Sequence, residues 1–259
     1  MIICADDFGL APDIDEAIIT LARAGKISAV SVMAALPSTQ EKTLAPLINL
    51  GDKVDLGLHL VFTKTEGLAQ SYPSFQGLLA RCWLGLLSFE SARAKIAEQY
   101  DLFTAKTGRP PDFIDGHMHI QQFPIIRQAL IEFTNKLPGE KPYVRNSYMP
   151  LEAINRQGVS PFKSWLLSIP GGRMKRLLNE AKIPTNEGFT GIYDFSQYLR
   201  YPEFLARFLD APAQPTRLLM VHPGKGDLWR LGEYNALSRQ EGLASMANRF
   251  PKALKTETP

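Results

Sequence analysis

Ile2-Ile3-Cys4-Ala5-Asp6-Asp7-Phe8-Gly9 opens the chain with a short apolar run that breaks on two carboxylates and a glycine. An apolar run of this length bounded by turn residues reads as a buried strand. Ile14, Ala17, Ile18 and Leu21 follow at helical spacing within 14–24, and Gly25 stands where a helix C-terminal glycine belongs. The alternation then repeats. Strand-like stretches are expected at 29–36, 54–61, 113–114, 143–145 and 217–221, and helices at 41–50, 91–106, 125–136, near 174–182 and at 201–209. Repeated strand–helix units without a composition break predict an α/β chain with mainly parallel strands. Two stretches depart from the rhythm. Residues 62–88 hold Gly67, Pro73, Gly77 and Gly85 among aromatics, and 147–189 is a second long excursion. Both read as insertions in one domain spanning 1–259.

An open doubly wound sheet and a closed barrel fit this alternation equally, and the polar residues favour the barrel. The chain has four histidines, and all of them (His59, His117, His119 and His222) fall at or just after the downstream end of an expected strand, as does the pair Asp6-Asp7. In a parallel α/β barrel those ends meet on one face, where active sites sit. The expected architecture is therefore a distorted, TIM-like (β/α) barrel.

Composition narrows the function classes. Charged residues make up 21% of 259 residues and the formal net charge is +3, with no long basic run interleaved with aromatics, so a nucleic-acid partner is not expected. The small cluster Arg173–Lys175–Arg176 reads as a solvated helix face. Cys4 and Cys82 lie too far apart for a disulfide framework or a zinc knuckle. The start lacks a basic segment followed by a long apolar core, and no stretch has the length and apolarity of a membrane span. A cytoplasmic, soluble protein is the expectation, with self-association into a homo-oligomer left open.

Carboxylates and imidazoles converging on one face point to a divalent metal with positions left for water and substrate. Adjacent Asp6 and Asp7 cannot both face the same way on a regular strand, so one suits the metal and the other an attacking water. His117 and His119, two apart, would share a face of an extended strand and could form a metal pair or one ligand with a neighbour. Gly9 and Gly116 would let the backbone turn sharply or approach a ligand. Each element also has a plain reading: Asp-Asp-Phe-Gly as a turn, His59 between Leu58 and Leu60 as a core histidine, His222 before Pro223 as a loop residue. Their joint placement, more than any one of them, signals a site.

At these residues the chain resembles the YdjC family, which includes the chito-oligosaccharide deacetylases and the hopanoid-biosynthesis deacetylase. The matching pieces are Ala5–Leu10, Gly57-Leu58-His59-Leu60, Ile114–His119 and Met220-Val221-His222-Pro223, with 184–189 and 191–195 resembling one branch. The resemblance implies a distorted barrel, a divalent metal (magnesium or zinc) and removal of an acetyl group from an N-acetylated sugar. By that pattern Asp7, His59 and His117 hold the metal, Asp6 is the general base and His222 the general acid. Asp115 and His119 are then candidates to orient ligands, and Arg145 to hold a carboxylate or the substrate. Where many members carry a further histidine, two residues beyond His119, this chain has Gln121. The tail beyond Phe250 is short and polar, which leaves the presence of a last barrel strand open. Phe62, Tyr72 and Trp83 are candidates for stacking on a sugar ring. Two rival functions fit the same residues: a metal-dependent phosphoester hydrolase and a non-catalytic sugar- or metal-binding protein. The first would need more positive charge around the site; the second gives Asp6 nothing to do.

Overall fold

A computed structural model describes residues 1–65, 72–210, 214, 216–251 and 254. The sheet strands are β1 (Ile2–Phe8), β2 (Ala29–Val32), β3 (Asp55–Leu60), β4 (Phe113–Gly116), β5 (Tyr143–Val144), β6 (Phe189–Thr190) and β7 (Leu218–Val221). They are hydrogen-bonded in the order β5-β4-β3-β2-β1-β7-β6, every pair parallel. The sheet curls into a half-barrel. The helices are α1 (Pro12–Arg23), α2 (Glu41–Ile48), α3 (Phe75–Trp83), α4 (Phe89–Thr107), α5 (Ile126–Lys136), α6 (Leu151–Gln157), α7 (Pro161–Glu180), α8 (Tyr201–Leu209), α9 (Leu228–Arg239) and α10 (Leu243–Met246). Among the described residues no helix is long and apolar enough to cross a membrane.

The edge strands β5 and β6 do not pair directly. Instead Val144 N–H donates to Pro184 O, and the Asn146 and Asn186 side chains exchange bonds with each other's backbone across the gap. These amides satisfy backbone groups that an extra strand would otherwise meet. No eighth strand lies among the described residues. At the upstream end of the half-barrel, Phe250 stacks on Tyr143 with ring centroids 4.3 Å apart, and Tyr143 stacks on Phe113 at 5.0 Å. Arg249 ties this plug to Asp55 and Asp52. The rest of the tail, 252–253 and 255–259, falls outside the described residues.

The period-two alternation of the strands separates two cores. Ile3 and Ala5, Val30 and Val32, Leu56, Leu58 and Leu60, Ile114, Val144, Leu219 and Val221 face outward into the core under the helices. Ile2 and Cys4, Ala29, Phe113, Tyr143, Leu218 and Met220 fill the interior of the curl. Gly57 belongs to this inner face, and a Cβ there would lie 2.3 Å from the Phe113 ring. One step further along each strand the inward positions turn polar: Asp6, Ser31, His59, Asp115, Arg145 and His222. The interior is thus apolar at the bottom and charged at the downstream rim.

Three local expectations are revised. The strand expected over 29–36 stops at Val32, where the chain turns to place Thr39 against Gly9. The helix expected near 174–182 is the second half of α7, which runs from Pro161 straight through Pro170-Gly171-Gly172. Gly171 holds that helix against the next segment, since a Cβ there would lie 2.7 Å from the Ser147 and Tyr148 backbone. Phe62 is buried in the outer core at 2% exposure rather than offered to a ligand.

Candidate active site

Asp6 and Asp7 both reach the rim because β1 does not stay regular there. The β1–β2 register shifts between Ala5 and Phe8, and Asp7 takes φ 70°. This bulge-like irregularity lets two consecutive carboxylates enter one cavity, which an unbroken strand forbids. The turn that follows needs glycine: Gly9 has φ +96°, and a Cβ would collide with Thr39 Oγ1 at 1.9 Å.

Asp7, His59 and His117 each present a ligand-type atom, all within 4.8 Å of one another. Asp7 Oδ1 lies 3.0 Å from His117 Nδ1 and 3.5 Å from His59 Nε2. Atoms bound about 2.1 Å from one ion stand roughly 3.0–3.5 Å apart, so the spacing fits a single divalent cation. The hydrogen bonds leave the right atoms available. His59 Nδ1 lies 2.6 Å from Asp115 Oδ1 and beside Ser31 Oγ, which assigns a proton to Nδ1 and turns Nε2 toward Asp7, so that an ion bound there would displace only the Nε2 proton. Burial disfavours a charged His59, but Asp115 outweighs it and raises the group to about 10. Burial likewise opposes ionisation of Asp7, yet His117 and His59 hold it well below the usual carboxylate range. One carboxylate oxygen and two imidazole nitrogens are a donor set for a divalent cation and do not fix which one.

A second cluster, Cys4, Asp6 and Asp115, also has converging donor atoms. It is already occupied by a cation. The fully buried Arg145 guanidinium meets Asp6 through two bonds of 2.8 and 2.7 Å and sits 3.0 Å from Asp115 Oδ2. Arg145 therefore holds a carboxylate. Burial works against the Asp6 charge, but Arg145, with His59 and His222, brings its pKa to about 2.

His117 and His119 do not share a strand face. β4 ends at Gly116, and 117–122 form a 3₁₀ turn in which Met118 and His119 take φ of 56° and 58°. Gly116 itself is extended, and its lack of a Cβ serves packing against Ile120 and Gln121. The turn sends His117 to Asp7 and His119 to Ser147, whose Oγ lies 3.1 Å from His119 Nδ1. Gln121 points away and donates to Arg145 O. Burial pushes His119 down to about 3, so it is a neutral imidazole at the cavity wall.

His222, just past β7, faces Asp6 with Nε2 4.0 Å from Oδ2. Burial lowers it to about 4 despite Asp7 and Asp6. Three residues on α9 that the sequence reading missed surround these groups. Arg230 donates to Asp7 Oδ2 at 2.7 Å, the oxygen turned away from the imidazoles. Glu233, buried, accepts from the His222 backbone N–H at 2.6 Å and from Tyr193 Oη at 2.8 Å, and burial raises it to about 7. Trp229 stacks on Phe195 with centroids 4.1 Å apart, beside the His222 ring. Trp229, Arg230 and Glu233 fall within one turn of a helix that starts after Asp227, but Arg230 and Glu233 are buried polar groups, which an apolar periodicity does not single out.

Asp6, Asp7, His59, His117, His119, His222 and Arg230 line one cavity of about 600 Å³. Its far wall is Lys163 and Leu167 of α7, Phe75 of α3, and Ile192, Tyr193 and Phe195. Of the aromatics expected from 62–88, Tyr72 sits under Lys95 Nζ at 4.0 Å and Phe75 lines the cavity instead; 66–71 fall outside the described residues.

Residues 1–248 match the model of the YdjC-like protein family. Over 143 residues the chain is 29% identical to a chitooligosaccharide deacetylase of Yersinia enterocolitica, covering 52% of this chain and 56% of that one. Over 173 residues it is 30% identical to a chitooligosaccharide deacetylase of Escherichia fergusonii, covering 62% and 67%. The match to the first relative thus spans little more than half of its length. A solved structure from Enterococcus faecalis V583, named for a proposed role in cellobiose-phosphate cleavage, superposes with a TM-score of 0.71 over 98% of both chains at 15% identity, which speaks to the fold alone. With the family model spanning nearly its whole length, the chain belongs to the YdjC-like family.

Proposed function

We infer that this protein is a metal-dependent deacetylase that hydrolyses the acetamide of an N-acetylated sugar or oligosaccharide. The observation that carries this reading is that Asp6 and His222, 4.0 Å apart, line the same cavity as the Asp7, His59 and His117 cluster. The chitooligosaccharide deacetylases among its relatives support the substrate class. We read residues 1–259 as one catalytic unit, because the site draws on β1 through α9, with 62–88 and 147–189 supplying walls.

A divalent ion on Asp7, His59 and His117 would supply Lewis acidity, polarising the acetyl carbonyl and acidifying the attacking water. Everything else falls to side chains. Asp6, kept ionised by Arg145, takes the proton from water as it adds to the carbonyl carbon. His222 is neutral at rest near pH 7 and must gain a proton before it can act as an acid. The proton on Asp6, 4.0 Å away, is the nearest source. His222 then protonates the departing amine nitrogen as the C–N bond breaks, and acetate leaves. Asp115 and Ser31 orient His59, and Arg230 orients Asp7. His119 faces the substrate side of the cavity, and the Phe195–Trp229 pair offers an aromatic surface for a sugar ring.

A phosphoester substrate fits less well. Arg145 and Arg230 are committed to Asp6, Asp115 and Asp7, and Lys163 pairs with Asp194, so the described cavity has no uncommitted cation for a phosphate. The test is an acetate-release screen across N-acetylated sugars with magnesium, zinc, manganese and cobalt, run beside a phosphate-release assay. Acetate release abolished in Asp6→Asn supports the reading; phosphate release alone would replace it.

A further inference from the structure

Helix α7 is inside out over its first half. The residues it turns to the body are Ser164, Ser168 and Gly171, all buried. Ser168 Oγ donates to Met149 O and accepts from Met149 N–H, and Gly171 lies against the 147–148 backbone, so this face has to be small. The large apolar residues point the other way: Phe162, Trp165, Leu166 and Ile169 are 70, 46, 55 and 53% exposed. Their steps of three and four put them on one stripe. The same steps continue to Arg173 and Arg176, both exposed. A single outward stripe thus begins apolar and aromatic and turns cationic about 6 Å further along the axis, at 1.5 Å per residue. Lys163, beside the stripe, links it through Asp194 at 3.5 Å to the turn bearing Phe195 and the exposed Leu199.

We propose that α7 docks this protein onto an anionic lipid surface, with Phe162, Trp165, Leu166 and Ile169 in the outer acyl region and Arg173 and Arg176 at the phosphates. The stripe asks for two surroundings in a fixed order, an apolar medium and then anions, and an anionic leaflet provides both at that spacing. Tryptophan and phenylalanine suit the boundary. α7 carries Lys163, Arg173, Lys175 and Arg176 against the single acid Glu180, with which Arg176 also pairs at 3.4 Å. The charge is complementary to phosphatidylglycerol and not to a neutral surface. Since Lys163 and Leu167 line the cavity, the docked face borders its mouth.

The experiment is co-sedimentation of the full chain with vesicles of phosphatidylglycerol and phosphatidylcholine, or of phosphatidylcholine alone, at low and high salt. Thermal unfolding serves as the fold control, so the outcome is independent of the deacetylase reading. The parent should pellet with the anionic vesicles and be released by salt. Trp165→Ser/Ile169→Ser and Arg173→Glu/Arg176→Glu should each reduce the partition coefficient about tenfold with unchanged melting. Absence of binding to anionic vesicles, equal binding to neutral ones, or undiminished binding by both variants would overturn the proposal. So would light scattering showing a parent dimer that Trp165→Ser/Ile169→Ser converts to monomer, because the stripe would then face a second copy.

Discussion

The cavity has two walls of different make. One is built by strand ends: Asp6, Asp7, His59, Asp115 and Arg145 form a closed set of charge-assisted bonds with almost no exposure. The other is built by helices and turns: α7, the 195–200 turn and α9 contribute Lys163, Leu167, Phe195, Trp229, Arg230 and Glu233. On the strand wall, each charged group sits where the alternation of a strand puts it, and each is answered by an opposite charge. On the helix wall half of the groups are apolar or aromatic, Lys163 pairs with Asp194, and the other two charged groups act through a strand-end residue, Arg230 through Asp7 and Glu233 through His222. The strand wall should therefore govern chemistry and stability, and the helix wall the tuning of both.

Substitutions on the two walls should separate these roles. Asp6→Asn and His222→Ala should each lower kcat by roughly 10²–10⁴-fold, the usual contribution of a general acid or base, while metal content stays near one equivalent. Near-normal kcat in either would remove that residue from the proton path. Arg145→Met should cost about 3–5 kcal/mol in urea unfolding, because it strands Asp6 and Asp115 as buried carboxylates without their counter-charge. A loss below about 1 kcal/mol, the range of a surface pair, would show that water or a cation replaces the guanidinium.

On the helix wall the effects should be smaller. Arg230→Met should weaken metal binding about 10–100-fold with partial rescue by Arg230→Lys, as expected of a group that orients a ligand rather than one that binds the ion. Unchanged affinity would make Arg230 a packing residue. Glu233 should give the smallest signal and the most specific one. Its folded pKa, about 7, lies above the unfolded value, so its contribution to stability is complete below about pH 4.5 and is lost as pH rises through 7. The melting difference between pH 5 and pH 8 should therefore shrink in Glu233→Gln, measured on metal-stripped protein. A slope identical to the parent's would mean that Glu233 does not titrate there.

The strand wall was legible because inward strand positions repeat every second residue and turn polar at the rim. Asp6, His59, Asp115, Arg145 and His222 could all be read from that change. Asp7 was the exception to the rule that exposed it: alternation alone sends it outward, and only the break in β1 brings it in. The His117–His119 pair misled for the opposite reason, since a strand was assumed where the chain had already turned. The helix wall was mostly illegible. In α7 the large apolar residues face solvent and the serines face the body, and Pro170-Gly171-Gly172 resembles a helix end. The periodicity therefore pointed away from the structure. In α9 the residues that matter are Arg230 and Glu233, buried polar groups that an apolar pattern cannot find.

The central claim is that Asp7, His59 and His117 form one metal site. Calorimetric titration of zinc or magnesium into chelator-stripped protein tests it most directly, comparing the parent with His117→Ala and Asp7→Ala. The parent should bind one equivalent, and neither variant should bind at the same concentrations. Stoichiometric binding retained in both variants would contradict it and place the ion elsewhere.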